Sequence, residues 1–386
     1  MTSNSTTTAA PSAPLIDVHA HFVTPDYVDT ARAAGHRQPD GMAAWPTWSA
    51  AAHLELMDRR GVATSFLSVS SPGTHFGDDA AARHLSRRVN EAAAEVVRAH
   101  PGRFGHFAAL PLPDVDGSLQ ELAYALDDLG SDGAAIETNA GGVYLGDERF
   151  APLYAELDRR RTVVFVHPTS PPCYEAVSLG RPRPMLEFIF DSARAAGDLV
   201  FSGMLTRFPG IEWIFTHGGG ALPLLADRME LFRDPLFGED PTGPTVPEQL
   251  SRLWFDMAGT PFPRQIPALD RAFGTGRLLY GSDYCWTPAA AATAQVASVD
   301  AAEQPVGDTW RALTTRNAGR LPRYVFRGPA RGPLASGPGM TFAPCRTDDL
   351  GGGVTRPEGA VGDADERSDH RLAGRNARSF AGGRSA

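Results

Sequence analysis

Apolar positions fall along this chain in eight short runs, near 14–19, 64–70, 105–110, 133–138, 163–167, 211–216, 253–257 and 277–282. The runs are continuously apolar rather than alternating, which predicts strands buried on both faces. Most are followed by segments with helical spacing. Over Ala80–Ala99, Leu85, Val89, Ala93 and Val96 recur at steps of three and four. Gly61, Pro101, Gly130, Pro209 and Gly276 punctuate the joints. Strand–helix alternation of this kind predicts parallel strands sheathed by helices, and eight units predict a (β/α)8 barrel rather than an open sheet.

Four of the runs end in polar residues. The first ends in His19-Ala20-His21, the fifth in His167, the sixth in His217 and the last in Asp283. In a barrel of parallel strands these ends converge on one face. Strand alternation puts His19 and His21 on the same side. With His167 and Asp283 they make three imidazoles and a carboxylate, a ligand set for zinc or another first-row divalent ion.

His217 precedes Gly218-Gly219-Gly220. These glycines are expected to let backbone and substrate approach closely, and to open the next helix to an anion. An acid–base or substrate-orienting role is expected of His217, against the alternative of a histidine packed under the rim. His75 follows the second run on the reactive face and is expected to line the pocket. His36, His53, His84, His100 and His106 are expected in surface or structural roles. The long loop 22–49 carries Tyr27, Trp45 and Trp48 at the barrel mouth. Its tryptophans either pack the loop down or, as expected for Trp48, contact substrate.

Composition narrows the field. A chain of 386 residues with 42% hydrophobic content buries a large core, and a net charge of −9 advertises no face for nucleic acid. Cys173, Cys285 and Cys345 are scattered, with no CxxC pair, so neither a disulfide framework nor a thiolate zinc site is expected. The N-terminus has no signal-peptide pattern and no apolar stretch has membrane-spanning length, so a cytoplasmic location is expected. Residues 1–13 and 328–386 lack apolar periodicity and are expected to be disordered around a folded unit 14–327. The chain contains no lysine, which removes Schiff-base chemistry and a carbamylated lysine bridging two metals.

Four pieces carry a resemblance: IDVHAHF at 16–22, VFVHPTSPP at 164–172, FTHGGGALPLLADR at 215–228 and LLYGSDYCW at 278–286. In that order they resemble the amidohydrolase superfamily. The likeness is to its branch of metal-dependent, non-oxidative decarboxylases, which includes aminocarboxymuconate-semialdehyde and γ-resorcylate decarboxylases. SSPGTHFGDDAAAR at 70–83 and LPLPDVDG at 110–117 are similar to the 6-methylsalicylate decarboxylases.

The resemblance implies ligands His19, His21, His167 and Asp283 around one divalent ion, zinc or alternatively manganese, with His217 in the active site. Glu137 stands where hydrolytic relatives carry a lysine for a second metal. The implied reaction is loss of carbon dioxide from a hydroxylated aromatic acid, with a proton delivered to the ring by Asp283 or His217. Arg228 is a candidate for the substrate anion or for a contact in a homodimer. The competing expectation is hydrolysis of an ester, lactone or amide by a metal-bound water.

Overall fold

The computed structural model describes residues 13–233 and 242–322. The expectations for 328–386, and for 1–13 apart from Ala13, lie outside the described residues.

Each apolar run forms a strand. In chain order they are β1 (Leu15–His21), β2 (Val62–Ser68), β3 (Phe104–Ala109) and β4 (Gly133–Glu137), then β5 (Val163–His167), β6 (Glu212–Phe215), β7 (Trp254–Asp256) and β8 (Leu278–Leu279). Neighbours pair in parallel in that same order. Parallel bridges from Asp17 to Tyr280 and from Ala20 to Tyr284 bring the last strand back to the first, so the barrel closes.

β8 is short for a physical reason. A side chain at Gly281 would meet the Cβ of His19 at 2.6 Å, so the chain passes β1 as bare backbone and then turns away. The amides of Ser282 and Asp283 both donate to the His19 carbonyl, at 3.1 and 2.8 Å. Asp283 is thereby placed beside the histidines of β1, in a left-handed conformation with φ of 57°.

Inside the barrel, Phe66, Phe107 and Phe165 stack in sequence with ring centroids 5.5 Å apart. Phe165 lies edge-on to His19 at 5.0 Å, so the metal-ligand candidates rest on an aromatic floor. Outside, the helix Asp79–Ala99 shows how the sheath is held. Asp78 caps it by accepting from the amide of Ala81 at 2.7 Å, and Leu85, Val89 and Ala93 bury one stripe against the strands. Burying Leu85 and Val89 stabilises the helix by roughly 1.5–3 kcal/mol apiece. No helix among the described residues is long and apolar enough to cross a membrane.

Candidate metal centre and substrate pocket

The C-terminal ends of β1, β5, β6 and β8 bring His19, His21, His167, His217 and Asp283 together. Donor atoms of His19, His167, His217 and Asp283 all lie within 4.8 Å of one another. His21 joins them: its Nε2 is 3.0 Å from that of His19 and 3.2 Å from Asp283 Oδ1. Asp283 Oδ2 lies 3.8 Å from His217 Nε2 and accepts from the hydroxyl of Thr287 at 3.0 Å.

What makes this a centre is the other side of each ring. His19 donates from Nδ1 to Asp256 Oδ2 at 2.8 Å, and His167 donates from Nδ1 to the Pro168 carbonyl at 2.8 Å. The Nδ1 of His21 lies 3.0 Å from Ser68 Oγ, and that of His217 lies 3.0 Å from Thr216 Oγ1. For His19, His21 and His167, anchoring Nδ1 fixes the tautomer and turns the Nε2 lone pair toward the shared centre, which Nε2 of His217 also faces. Four inward nitrogens and a carboxylate form a donor set suited to a divalent cation.

Electrostatics agree with that donor set. The Asp283 side chain is 18% exposed, and its partial burial alone would raise its pKa, yet contacts with His19, His21 and His217 hold it well below the usual carboxylate range. Burial drives the pKa of His21 and His167 down, and the neighbouring imidazoles push the same way. Burial also opposes charge on His19, but Asp256 and Asp283 on its two sides overcome it and lift its pKa to about 10. Metal binding and protonation therefore compete at His19 Nε2.

Asp256 and Asp17 carry roles that the sequence reading did not assign. Asp256 is fully buried at the end of β7 and accepts from the amides of His217 and Ala258, both at 2.9 Å, as well as from His19. It couples the orientation of one ligand to that of His217. Asp17 accepts from the amides of His19 and Ser282 at 3.1 and 3.0 Å, and burial pushes its pKa up to about 6. The signal for Asp256 was present, since it is a carboxylate at a strand's C-terminal end.

Residues 16–321 match the amidohydrolase family model. The chain belongs to the amidohydrolase family. Over 320 residues it is 35% identical to the 6-methylsalicylic acid decarboxylase acuB of Aspergillus aculeatus, spanning 80% of this chain and 96% of that one. Over 291 residues it is 36% identical to the decarboxylase yanB of Aspergillus niger, spanning 71% and 77%. A crystal structure of an amidohydrolase II superposes with a TM-score of 0.75 at 28% identity, covering 80% of this chain and 99% of the other.

In this amidohydrolase a cavity of about 420 Å³ opens directly on the cluster, reaching His167, His217 and Asp283. Its walls include Met185, Phe188, Ile189 and Trp286, with Ser70, Thr260 and Gln265 as polar points. Among the described residues no arginine lines it, and the chain has no lysine.

Three residues expected to contact substrate, Trp48, His75 and Arg228, do not line this cavity. Trp48 packs on Phe22 with ring centroids 5.8 Å apart, and its indole N–H donates to His53 Nδ1 at 3.1 Å, so it pins the loop. His75 lines an adjoining cavity, with Nε2 2.8 Å from Asp79 Oδ1. Arg228 is exposed on the helix Leu222–Leu231, its guanidinium 5.3 Å over the ring of Phe232. The glycine triplet also works differently from expectation. A Cβ on Gly219 would lie 2.6 Å from Phe255, and one on Gly220 2.2 Å from the Ile189 carbonyl. These glycines, all at positive φ, admit protein rather than substrate. Gly259 is the glycine beside His217, with a Cβ there 3.8 Å from the imidazole.

Proposed function

We propose that this amidohydrolase is a metal-dependent carboxy-lyase that releases carbon dioxide from a hydroxylated aromatic acid of the 6-methylsalicylate kind, leaving a phenol. The observation that carries the reading is the coincidence of a cation-type donor cluster with an aromatic-walled cavity that, among the described residues, offers an anion no arginine or lysine. Among the described residues, a substrate carboxylate entering there finds its counter-charge at the cluster. The similar proteins of A. niger and A. aculeatus carry decarboxylase names, which supports the same reaction here.

His19, His21, His167 and Asp283 would hold one divalent ion. Imidazole-rich, thiolate-free coordination favours zinc, with manganese as the alternative. When bound, the ion supplies positive charge that fixes and screens the substrate's carboxylate and neighbouring phenolic oxygen. Phe188 and Trp286 confine the ring in the cavity and exclude water. His217 holds a proton at Nε2, beside Asp283 Oδ2, and passes it to the ring carbon that bears the carboxylate. The carbon–carbon bond then breaks, its electron pair returns to the ring, and carbon dioxide leaves. We place the working unit within residues 14–327, acting as a homodimer in the cytoplasm.

The experiment is incubation of zinc-loaded and manganese-loaded enzyme with a panel of salicylates, following carbon dioxide and phenol by mass. Stoichiometric phenol and carbon dioxide from at least one 2-hydroxybenzoate is expected. No release from any member, together with turnover of an ester or lactone, would overturn the proposal.

A further inference from the structure

We propose that Asp191, buried on the helix Glu187–Phe201, is a positioning residue that sets the direction of His167 toward the metal centre through the hydroxyl of Thr138. The proposal rests on the reading of His167 as a metal ligand and names what aims it.

His167 differs from its neighbours in how its ring is held. His19 is anchored on Asp256 of β7 and His21 on Ser68 of β2, so both rings are tied to another strand. His167 Nδ1 instead donates to the carbonyl of the next residue, Pro168. A ring tied to its own backbone points where that backbone points. Whatever fixes residues 167–169 therefore also aims the ligand.

Thr138 fixes them from both sides. It follows β4 directly and is fully buried. Its amide donates to the His167 carbonyl at 2.9 Å, and its hydroxyl oxygen accepts from the amide of Thr169 at 3.1 Å. The hydroxyl proton remains for one further acceptor, and that acceptor is the Asp191 carboxylate. A threonine hydroxyl rotates to suit its partners, so donation to a fixed carboxylate holds its lone pairs toward Thr169.

Asp191 is itself held firmly. It also accepts from Asn139 Nδ2 at 3.0 Å, from the Tyr144 hydroxyl and from Arg194 Nη1 at 2.7 Å. A buried carboxylate needs such a full set of donors, and three of the four come from the segment that follows β4. Three positions before Asp191, on the same side of the helix, Phe188 meets the His167 imidazole edge-on with ring centroids 6.0 Å apart and walls the substrate cavity. One helix face thus presses on the ligand's ring and, through Thr138, holds its backbone.

The test is zinc affinity by chelator competition on the full chain, with thermal midpoints of the metal-free proteins as a control for folding. Thr138→Val removes the relay and Tyr144→Phe removes a different donor from the same carboxylate. Both should lower the midpoint by similar amounts. Thr138→Val should raise the zinc Kd by about tenfold, as loss of a ligand's support does, while Tyr144→Phe should stay within about twofold of wild type. Thr138→Ser keeps the hydroxyl and should restore the affinity. Asp191→Asn should weaken zinc at least as much as Thr138→Val, and the double variant no more than the weaker-binding single, because both lie on one path. Should Asp191→Asn fail to fold, the three Thr138 and Tyr144 variants decide alone. An unchanged zinc Kd in Thr138→Val, or a loss in Tyr144→Phe as large as in Thr138→Val, would overturn the relay and leave Asp191 a purely structural anchor. A His167→Ala protein that holds zinc as tightly as wild type would overturn the ligand reading, and the relay with it.

Discussion

Two cavities of nearly equal size open side by side at the barrel mouth, one of about 420 Å³ over the histidine cluster and one of about 410 Å³ beside it. The second is richer in charge. Asp40, Glu137 and Arg183 line it, along with His36 and His75. Most of its groups are engaged with one another and with the walls, while Glu137 Oε2 is buried without a hydrogen-bond partner among the described residues. Ser170 donates to Asp40 Oδ1 at 2.5 Å, Arg183 donates to Ser170 Oγ at 2.9 Å, and the Arg183 guanidinium lies 4.2 Å over Tyr174. Burial and the nearby Asp40 raise the Glu137 pKa well above the carboxylate range. In the first cavity the polar atoms are tied down at the back and aimed at a common point. What separates a reactive site from a polar hollow is donor direction rather than charge or volume.

The largest effect should come from the ligands. His19→Ala, His167→Ala or Asp283→Ala removes one donor from the shared centre. Each variant should lose bound metal on elemental analysis and lose turnover by on the order of a thousandfold or more, since metal electrostatics contribute several kcal/mol. Full metal content with full activity in these variants would erase the distinction between the cavities.

His217→Asn comes next and sharpens the account within the first cavity. His217 sits in the same cluster as the four proposed ligands. If its work is proton transfer, the variant should keep its metal and lose roughly two to four orders of magnitude in kcat. Loss of the metal would make it a fifth ligand, and an unimpaired rate would make it structural.

A smaller effect is expected behind the ligands. Asp256→Asn keeps the shape but removes the carboxylate that receives the His19 N–H. Metal affinity measured by chelator competition should fall by about 10–100-fold. The wild-type affinity should also strengthen as pH rises toward about 10, because the His19 proton must leave for metal to enter. In Asp256→Asn that dependence should shift to lower pH, as His19 loses the charge that lifts its pKa. An unshifted profile would detach Asp256 from the centre.

The smallest effect belongs to the second cavity. Arg183→Gln should leave kcat and metal content near wild type, with any change confined to about threefold in KM. A loss comparable to that of His217→Asn would show that the charged cavity takes part in turnover.

Much of this was written in the pattern of the chain. Buried parallel strands must be continuously apolar, so all eight could be placed to within a few residues, and the polar residues ending β1, β5, β6 and β8 followed from barrel geometry. Asp256 obeys the same rule at the end of β7 and went unassigned because its carboxylate faces a histidine rather than the substrate. Residues on loops and outer helices were harder. Trp48 and Trp286 both follow strands, but which one reaches the cavity depends on the tight turn at Asp283 and on how the 22–49 loop packs. Neither has a periodicity. Arg228 follows His217 by eleven positions, yet the helix it sits on turns it outward, a fact set by which face of that helix is buried.

The central claim is tested most directly by running the reaction in deuterium oxide with 6-methylsalicylate and metal-loaded enzyme. The account predicts one equivalent of carbon dioxide and a methylphenol carrying a single deuterium at the carbon that lost the carboxylate, with His217→Asn slowed in that same step. Recovered acid without carbon dioxide or ring deuterium, from enzyme that hydrolyses an ester or lactone with incorporation of water oxygen, would contradict it.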